Sequence, residues 1–430
     1  MNTTQTISLL QGGAYNAALL SLYGKEALAA QTARYVAAVK EFESLYGKER
    51  EVALFSVPGR SELSGNHTDH NRGCVIATSV DFDIIAVASP TQNGRVRLKS
   101  EGFPEDSIEL ADYRTPRECD FGTSRAIIAG ICAKFAQNGH TVGGFDAYTT
   151  SNVPKGSGLS SSAAFEDMVG NIENHFYNDA RIGAEEIAVI SQYAENSFFG
   201  KPCGLMDQMA CAVGGIIAID FADAAHPVTE RIDFDLTAAG YRLCIVNTGG
   251  NHADLTPDYA AIPAEMKAVA AALDKSVLRE VDEQAFYAAL PALRQSVGDR
   301  AILRAIHFFE ENKRVQKQKI ALQTGELSAF FALVRASGRS SFDYLQNIHS
   351  PAHPQEQGLS LALCLADRFF SHREGAYRVH GGGFAGTIQA FVKAEDVAEL
   401  SALMNGVFGE SACRALHVRG VGATRLMPSI

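Results

Sequence analysis

Pro154 to Ala164 reads PKGSGLSSSAA, in which small and flexible residues (Gly156, Ser157, Gly158) lead through Leu159 into a hydroxyl run (Ser160, Ser161, Ser162) and then into helix-forming alanines. The pattern predicts a loop feeding a helix N-terminus. Such an end carries unpaired backbone N–H groups and the positive pole of the helix dipole, so it attracts an anion, and glycine lets the backbone come close to one. A phosphate group suits it. The hydroxyls add donors, or an oxygen ligand for Mg2+, which prefers oxygen and sits between protein and nucleotide phosphates. A serine N-cap on an inconsequential loop would spell the same letters, so the meaning of the stretch depends on its company.

On either side the chain alternates helix and strand patterns. Residues 1–50 read as a helical extension packed on the first domain, Ala-rich from Tyr15 to Tyr46, with Gly24 and Gly47 as breaks. From Val52 the pattern turns to strands: VALFSV, then the Val- and Ile-rich Gly73 to Ala88, then a hairpin turn at Gln92, Asn93 and Gly94. Thr123 to Asn138, Ala163 to Tyr177 and Ala184 to Asn196 have helical spacing, and GGIIAIDF (Gly214 to Phe221) reads as a buried strand. A polar, turn-like stretch from Pro227 to Leu236 marks a boundary, which gives domains at 51–235 and 236–430. The second half opens on the strand YRLCIVNT. It then runs through helical stretches (Ile262 to Lys319, Glu326 to Val334, Gly358 to Phe370) and ends in GAYRVHGGGFAGTIQAFV, a helix at Val397 to Phe408 and HVRGVGATRL. This is an α+β chain of two layered domains, within the roughly two or three that 430 residues lead one to expect.

Composition narrows the function. With 46% hydrophobic and 20% charged residues the chain is ordinary for a soluble protein. A net charge of −11 argues against nucleic acid, whose backbone calls for a basic face, and favours a small-molecule partner. No apolar run reaches the length of about eighteen residues needed to span a membrane, and MNTTQTISLL lacks the basic and apolar regions of a signal peptide. The eight cysteines form no CxxC pair and sit in apolar or Gly/Ala-rich settings, as buried thiols do in the cytoplasm.

Three further segments carry chemistry. A Walker A motif is absent. Gly381, Gly383 and Gly386 fit GxGxxG, but the strand-like TIQAFV follows where a helix should begin, so the match reads as a tight glycine turn. VPGRSELSGNHTDHNRG (Val57 to Gly73) crowds Arg60, Glu62, Asn66, His67, Asp69, His70 and Asn71 between two strands, a density of polar groups that suits a hydroxyl-rich ligand. His67 and His70 have no third His or Cys nearby, so they are not read as a metal site. In ENSFFGKPCGLMDQMACAVGG, Asp207 sits among Leu205, Met206, Met209 and Ala210, where a carboxylate is costly unless paired. It reads as an N-cap, or as a carboxylate near a substrate hydroxyl held ionised by a cation such as Arg60. Glu195 offers an oxygen ligand to Mg2+ together with Ser162.

Taken in order, PGRSELSGNHTDHNRG, GSGLSSSAA, ENSFFGKPCGLMDQ and GAYRVHGGGFAGTIQ resemble the motifs of the GHMP small-molecule kinases, and within them the galactokinase family, over nearly the whole chain after residue 52. The resemblance implies an N-terminal domain of the ribosomal-protein-S5 domain 2-like type, a ferredoxin-like C-terminal domain and an active site between them. It implies ATP-dependent phosphorylation of the anomeric hydroxyl of a galactose-like sugar, with Asp207 as the catalytic carboxylate and Arg60 as its partner. Ser162 and Glu195 would be Mg2+ ligands, and Gly156 to Ser161 would hold ATP phosphates. His67, Asp69, Gly204 and Tyr259 would contact the sugar, with the glycine turn closing over the site. A monomer or weak oligomer is expected. Where the family usually reads RxNLIGEHTDYN, this chain has Arg60, Ser61, Glu62, Leu63, Ser64, Gly65, Asn66, His67, Thr68, Asp69, His70, Asn71. Asn66 thus replaces the glutamate that faces the sugar's C6 hydroxyl, which admits a C6 carboxylate as well. The basic residues that often follow the family's tyrosine are absent too, since Ala260, Ala261, Ile262 and Pro263 stand there. The alternatives are a kinase for galacturonate, arabinose or another galacto-configured sugar, and a non-catalytic galactose sensor.

Overall fold

The structure is a computed structural model that describes residues 1–112, 114–154, 158–223, 226–250 and 255–429. It opens with helices α1 (Thr3–Gln11) and α2 (Asn16–Tyr46). α1 starts at a capping box between Asn2 and Gln5. Gly24, at φ 74°, kinks α2, and Gly47 ends it. The buried stripe Leu19, Leu22, Tyr35, Val39 and Phe42 packs on Leu54, Ile85 and Val87 of the sheet that follows.

That sheet draws on β1 (Ala53–Ser64), β2 (Cys74–Thr91), β3 (Arg95–Ser100), β4 (Glu105–Glu109) and β5 (Gly144–Ser151). Helix α3 (Ser124–Gln137) precedes β5 and is capped by Thr123, whose side chain accepts from the Ala126 N–H. Helices α4 (Ser161–Tyr177), α5 (Ala184–Ala194) and α6 (Met206–Val213) lead to β6 (Ile216–Asp220) and β7 (Val228–Ile232). Alternation along the strands sends Phe55, Val57, Ile84, Ala86 and Ala88 to the face opposite α2, where α3 and α4 cover them. Gln92 to Gly94 does turn the chain, but not as a hairpin: β5 inserts between β2 and β3, antiparallel to the first and parallel to the second.

In the second half come β8 (Tyr241–Asn247), α7 (Thr256–Ala271), α8 (Glu283–Ala288), α9 (Leu290–Ser296), α10 (Asp299–Thr324), α11 (Leu327–Ser340) and α12 (Gly358–Phe369). They are followed by β9 (Gly375–His380), β10 (Thr387–Lys393), α13 (Val397–Phe408), β11 (Cys413–Leu416) and β12 (Thr424–Leu426). The helical stretch from Ile262 to Lys319 is therefore four helices, broken after α7 and before α10, where Asp274 and Gly298 take positive φ, and at Ala289 between α8 and α9. The second sheet is antiparallel in the order β11-β8-β10-β9, with α12 and α13 on one face. On its other face, Phe330, Phe331 and Val334 of α11 join a core continuous with that of the first sheet. β12 returns to pair with β1, giving an eight-stranded first sheet. The end of β1, the β1–β2 loop, the starts of α4 and α6 and the β9–β10 turn all meet between the two sheets.

Candidate active site

Arg60 is the hinge pin of this meeting place. Its Nε donates to Asp207 Oδ1 at 2.7 Å and its Nη2 to Oδ2 at 2.6 Å, while Nη1 donates to the Gly158 carbonyl. Its backbone N–H donates to the Leu159 carbonyl at 3.1 Å. The guanidinium side chain is 8% exposed and that of Asp207, in the first turn of α6, is 32% exposed, so the carboxylate is the partner that opens to the cleft. Burial pushes the Asp207 carboxyl up, but the charge and hydrogen bonds of Arg60, with a further bond from Ser160, outweigh it and hold the group below its ordinary value.

From sequence, Ser160 belongs with the phosphate loop; in the structure its hydroxyl donates to Asp207 Oδ2. Ser160 occupies the N-cap position of α4 at φ 53° and its side chain does not cap the first-turn N–H groups, as the inconsequential-loop reading would require. Ser161 and Ser162 are exposed at this end and Leu159 is buried. Gly158, at φ 70°, lies against His380 and Thr387. Gly156 and Ser157 lie outside the described residues.

Below Asp207 a cleft of about 240 Å³ is lined by Glu62, Asn66, His67, Asp69, Lys201, Gly204, Tyr259 and Gly382 among others. The glycine turn is bonded directly to its wall. Gly381 O accepts from Asn66 Nδ2 (2.7 Å), Gly382 O from His67 Nε2 (2.9 Å) and Asn347 Nδ2 (3.0 Å), and Gly383 O from the Tyr259 hydroxyl (3.2 Å). Burial holds His67 down to about 4, so it is neutral, with Nε2 carrying the proton. Burial likewise pushes the Tyr259 hydroxyl up to about 12, which keeps it a donor. A Cβ on Gly382 would stand 1.9 Å from Tyr259 Cε1, so the edge of the tyrosine ring that carries the hydroxyl packs against bare backbone.

The amide of Asn66, expected from sequence to face a sugar hydroxyl or carboxylate, is committed to the protein. Besides its bond to Gly381, its Oδ1 accepts from Asn347 Nδ2 at 2.8 Å and from Ser341 Oγ at 3.3 Å, and the residue is fully buried. Asp69 keeps an oxygen toward the cleft while Oδ1 accepts the His70 N–H at 3.0 Å.

Glu195 follows α5 at the start of a π-turn, Glu195–Phe199, and is buried. Lys201 Nζ lies 2.9 Å from Glu195 Oε1, and Gln208 Nε2 donates at 2.9 Å to both Glu195 Oε2 and Glu166 Oε2. Among the described residues no cluster of three His, Cys, Asp or Glu side chains could hold a metal by itself. Mg2+ commonly takes only one or two protein oxygens and completes its shell with phosphate and water. Of the two oxygen donors expected from sequence, Ser162 is exposed in the first turn of α4, and Glu195 has Oε1 held by the Lys201 ammonium and Oε2 by Gln208. Glu62 was legible only as one of the polar residues of its cluster, whereas Lys201, Gln208, Arg378 and His380 escape a reading of the sequence: all four lie within quoted motifs, but nothing in their neighbours marks them. His380 is buried between Ser61 Oγ (3.0 Å) and Thr387 Oγ1 (2.9 Å), tying β1 to the second sheet.

The galactokinase galactose-binding signature matches residues 40–90, and the GHMP kinase N-terminal domain matches residues 126–215. A galactokinase of Streptomyces coelicolor is 31% identical over 399 residues, covering 90% of this chain and 97% of the relative. The chain belongs to the galactokinase family. The galactokinase of Homo sapiens is 30% identical over 361 residues, covering 83% of this chain and 87% of that one. Among solved structures, Lactococcus lactis galactokinase complexed with galactose matches with a TM-score of 0.74 at 24% identity, over 90% of this chain and 98% of that one. Methanococcus jannaschii mevalonate kinase matches with a TM-score of 0.60 at 16% identity, over 86% and 98%. The fold is thus the two-domain α+β fold of GHMP kinases, and this member of the galactokinase family is a kinase that transfers phosphate to a sugar hydroxyl.

Proposed function

We propose that the protein transfers the γ-phosphoryl group of ATP to the anomeric oxygen of galactose, giving galactose 1-phosphate and ADP. The carrying observation is the three-way bond of Arg60, which joins the Gly158 carbonyl of the glycine and serine loop to both oxygens of Asp207 at the mouth of a polar cleft. The uncapped start of α4 receives the nucleotide phosphates through backbone N–H groups, with Leu159, Ser161 and the loop before them shaping the approach. Asp207 accepts the hydrogen of the anomeric hydroxyl and points its oxygen in line with the phosphorus. A carboxyl held below its ordinary value is a weak base, so its part is to orient the hydroxyl, as a loose phosphoryl-transfer transition state asks. Ser162 and Glu195 would hold Mg2+, which supplies charge neutralisation on the phosphates when bound. His67, Asp69 and Tyr259 line the sugar's side of the cleft, and Gly204 leaves room for Asp69.

A galacturonate substrate has less support than galactose, because Glu62 and Asp69 line the same cleft and the Asn66 amide is already occupied. In this reading residues 51–235 and 236–430 are the two domains and residues 1–50 an extension. The protein would act as a monomer or weak oligomer; a cytoplasmic location is supported by its free cysteines, five of them buried, with Cys203 half-buried and Cys119 and Cys364 exposed rather than buried as expected.

The test is ADP release with a panel of sugars (galactose, galacturonate, arabinose, glucose), with the product's phosphate located by phosphorus NMR. Galactose is expected to be the best acceptor, phosphorylated at C1. ATP turnover that ignores galactose, or prefers galacturonate, would contradict the proposal.

A further inference from the structure

Two polar positions of the sugar signature carry exchanged side chains. In the pattern RxNLIGEHTDYN an amide stands third and a carboxylate seventh; here Glu62 stands third and Asn66 seventh. The two side chains meet at their tips, with Asn66 Nδ2 at 3.3 and 3.4 Å from the two Glu62 oxygens. The carboxylate has therefore kept its neighbourhood while changing the backbone position from which it reaches it. Arg378 of β9, with no exposed side-chain surface, donates from Nη2 to Glu62 Oε1 and from Nη1 to the Leu63 carbonyl at 3.1 Å. Asn66 is fixed in turn by Gly381, Asn347 and Ser341. Glu62 Oε2 is left with one long bond, to Asn66, and the residue lines the cleft with Asp69 and Asp207.

We infer that Glu62, rather than residue 66, is the specificity-determining acceptor for one hydroxyl of the sugar other than the phosphorylated one, aimed by Arg378 and braced by Asn66. The inference rests on the galactose reading above. A carboxylate accepts a hydroxyl proton more strongly than an amide does, and beside Asp69 it disfavours an anionic substituent at that place on the sugar. The substrate class is then a neutral sugar bearing a hydroxyl there.

The experiment is steady-state kinetics of the full chain with galactose and its single-deoxy analogues, 6-deoxygalactose included, for the wild type and Glu62→Gln. Thermal melts monitor folding. One analogue is expected to cost the wild type on the order of 10–100-fold in kcat/KM, and the same analogue to cost Glu62→Gln less than about threefold, with the change in KM rather than kcat. A wild type that discriminates at no position, or a Glu62→Gln variant that loses the same factor on every sugar or retains the wild-type discrimination, would overturn the inference. If Glu62→Gln does not fold, because it leaves Arg378 unpaired, the exchange variant Glu62→Asn with Asn66→Glu carries the test. Its carboxylate sits at the same meeting point, so it should discriminate against the same analogue, and a uniform loss would overturn the inference. A wild type inactive on galactose overturns the galactose reading instead, and that is read before any variant.

Discussion

Gly204 has no room for a side chain, because a Cβ there would stand 1.9 Å from Asp69 Oδ2. The obstacle is the tip of a movable side chain, so Gly204→Ala should fold normally while swinging Asp69 off the cleft wall. Its KM for galactose is expected to rise about tenfold, the worth of one charge-assisted hydrogen bond, with the melting temperature little changed. His67 gives a pH dependence whose sign follows from burial. Its folded value of about 4 lies below the unfolded value of about 6.5. As pH falls through that window the unfolded chain binds a proton that the folded chain refuses, so stability is full above it and declines within it. Denaturant midpoints from pH 7 to 4 should fall less steeply for His67→Gln than for the wild type. An unchanged slope would mean that His67 does not titrate in this way.

Helix α4 starts on a residue whose side chain does not serve the helix. Because the Ser160 hydroxyl goes to Asp207 and not to a backbone N–H, Ser160→Ala should leave the melting temperature within about a degree or two while lowering kcat by about five- to tenfold. A loss of stability of the size typical for a missing cap would show that the serine caps after all. How far the elements and the site were legible in the sequence follows from how local their causes are. α3 was readable to within a residue because its cap, Thr123, and its apolar face lie within one short segment. The turn at Gln92 to Gly94 was readable as a turn but not as a split pair, since what separates β2 from β3 is β5, some fifty residues downstream. Arg60 and Asp207 stood out because a carboxylate in an apolar run demands a cation. Glu62 was legible as a member of a polar cluster but its pairing was not, because its partner Arg378 is 316 residues away and nothing near either one announces the other.

Asp83 ties the ends of the chain to its middle. This fully buried carboxylate accepts from Arg34 of α2 at 2.6 Å, from Ser56 of β1 and from Arg419 near the C-terminus at 3.4 Å, while β12 closes the first sheet beside β1. Asp83→Ala would strand two guanidinium groups in the interior, and chemical denaturation should show a loss of about 3–5 kcal/mol. The same closure sets β1, and with it Arg60, at a fixed distance from the phosphate loop and the second sheet. In the proposed reaction the Asp207 carboxylate, held ionised by Arg60 and Ser160, receives a sugar hydroxyl beside the nucleotide. Galactose-dependent ADP release by Asp207→Asn, measured alongside ATP affinity by calorimetry, is the direct check. Turnover should drop by about 10²–10⁴-fold while the Kd for ATP stays within about threefold; turnover near the wild-type rate would contradict it.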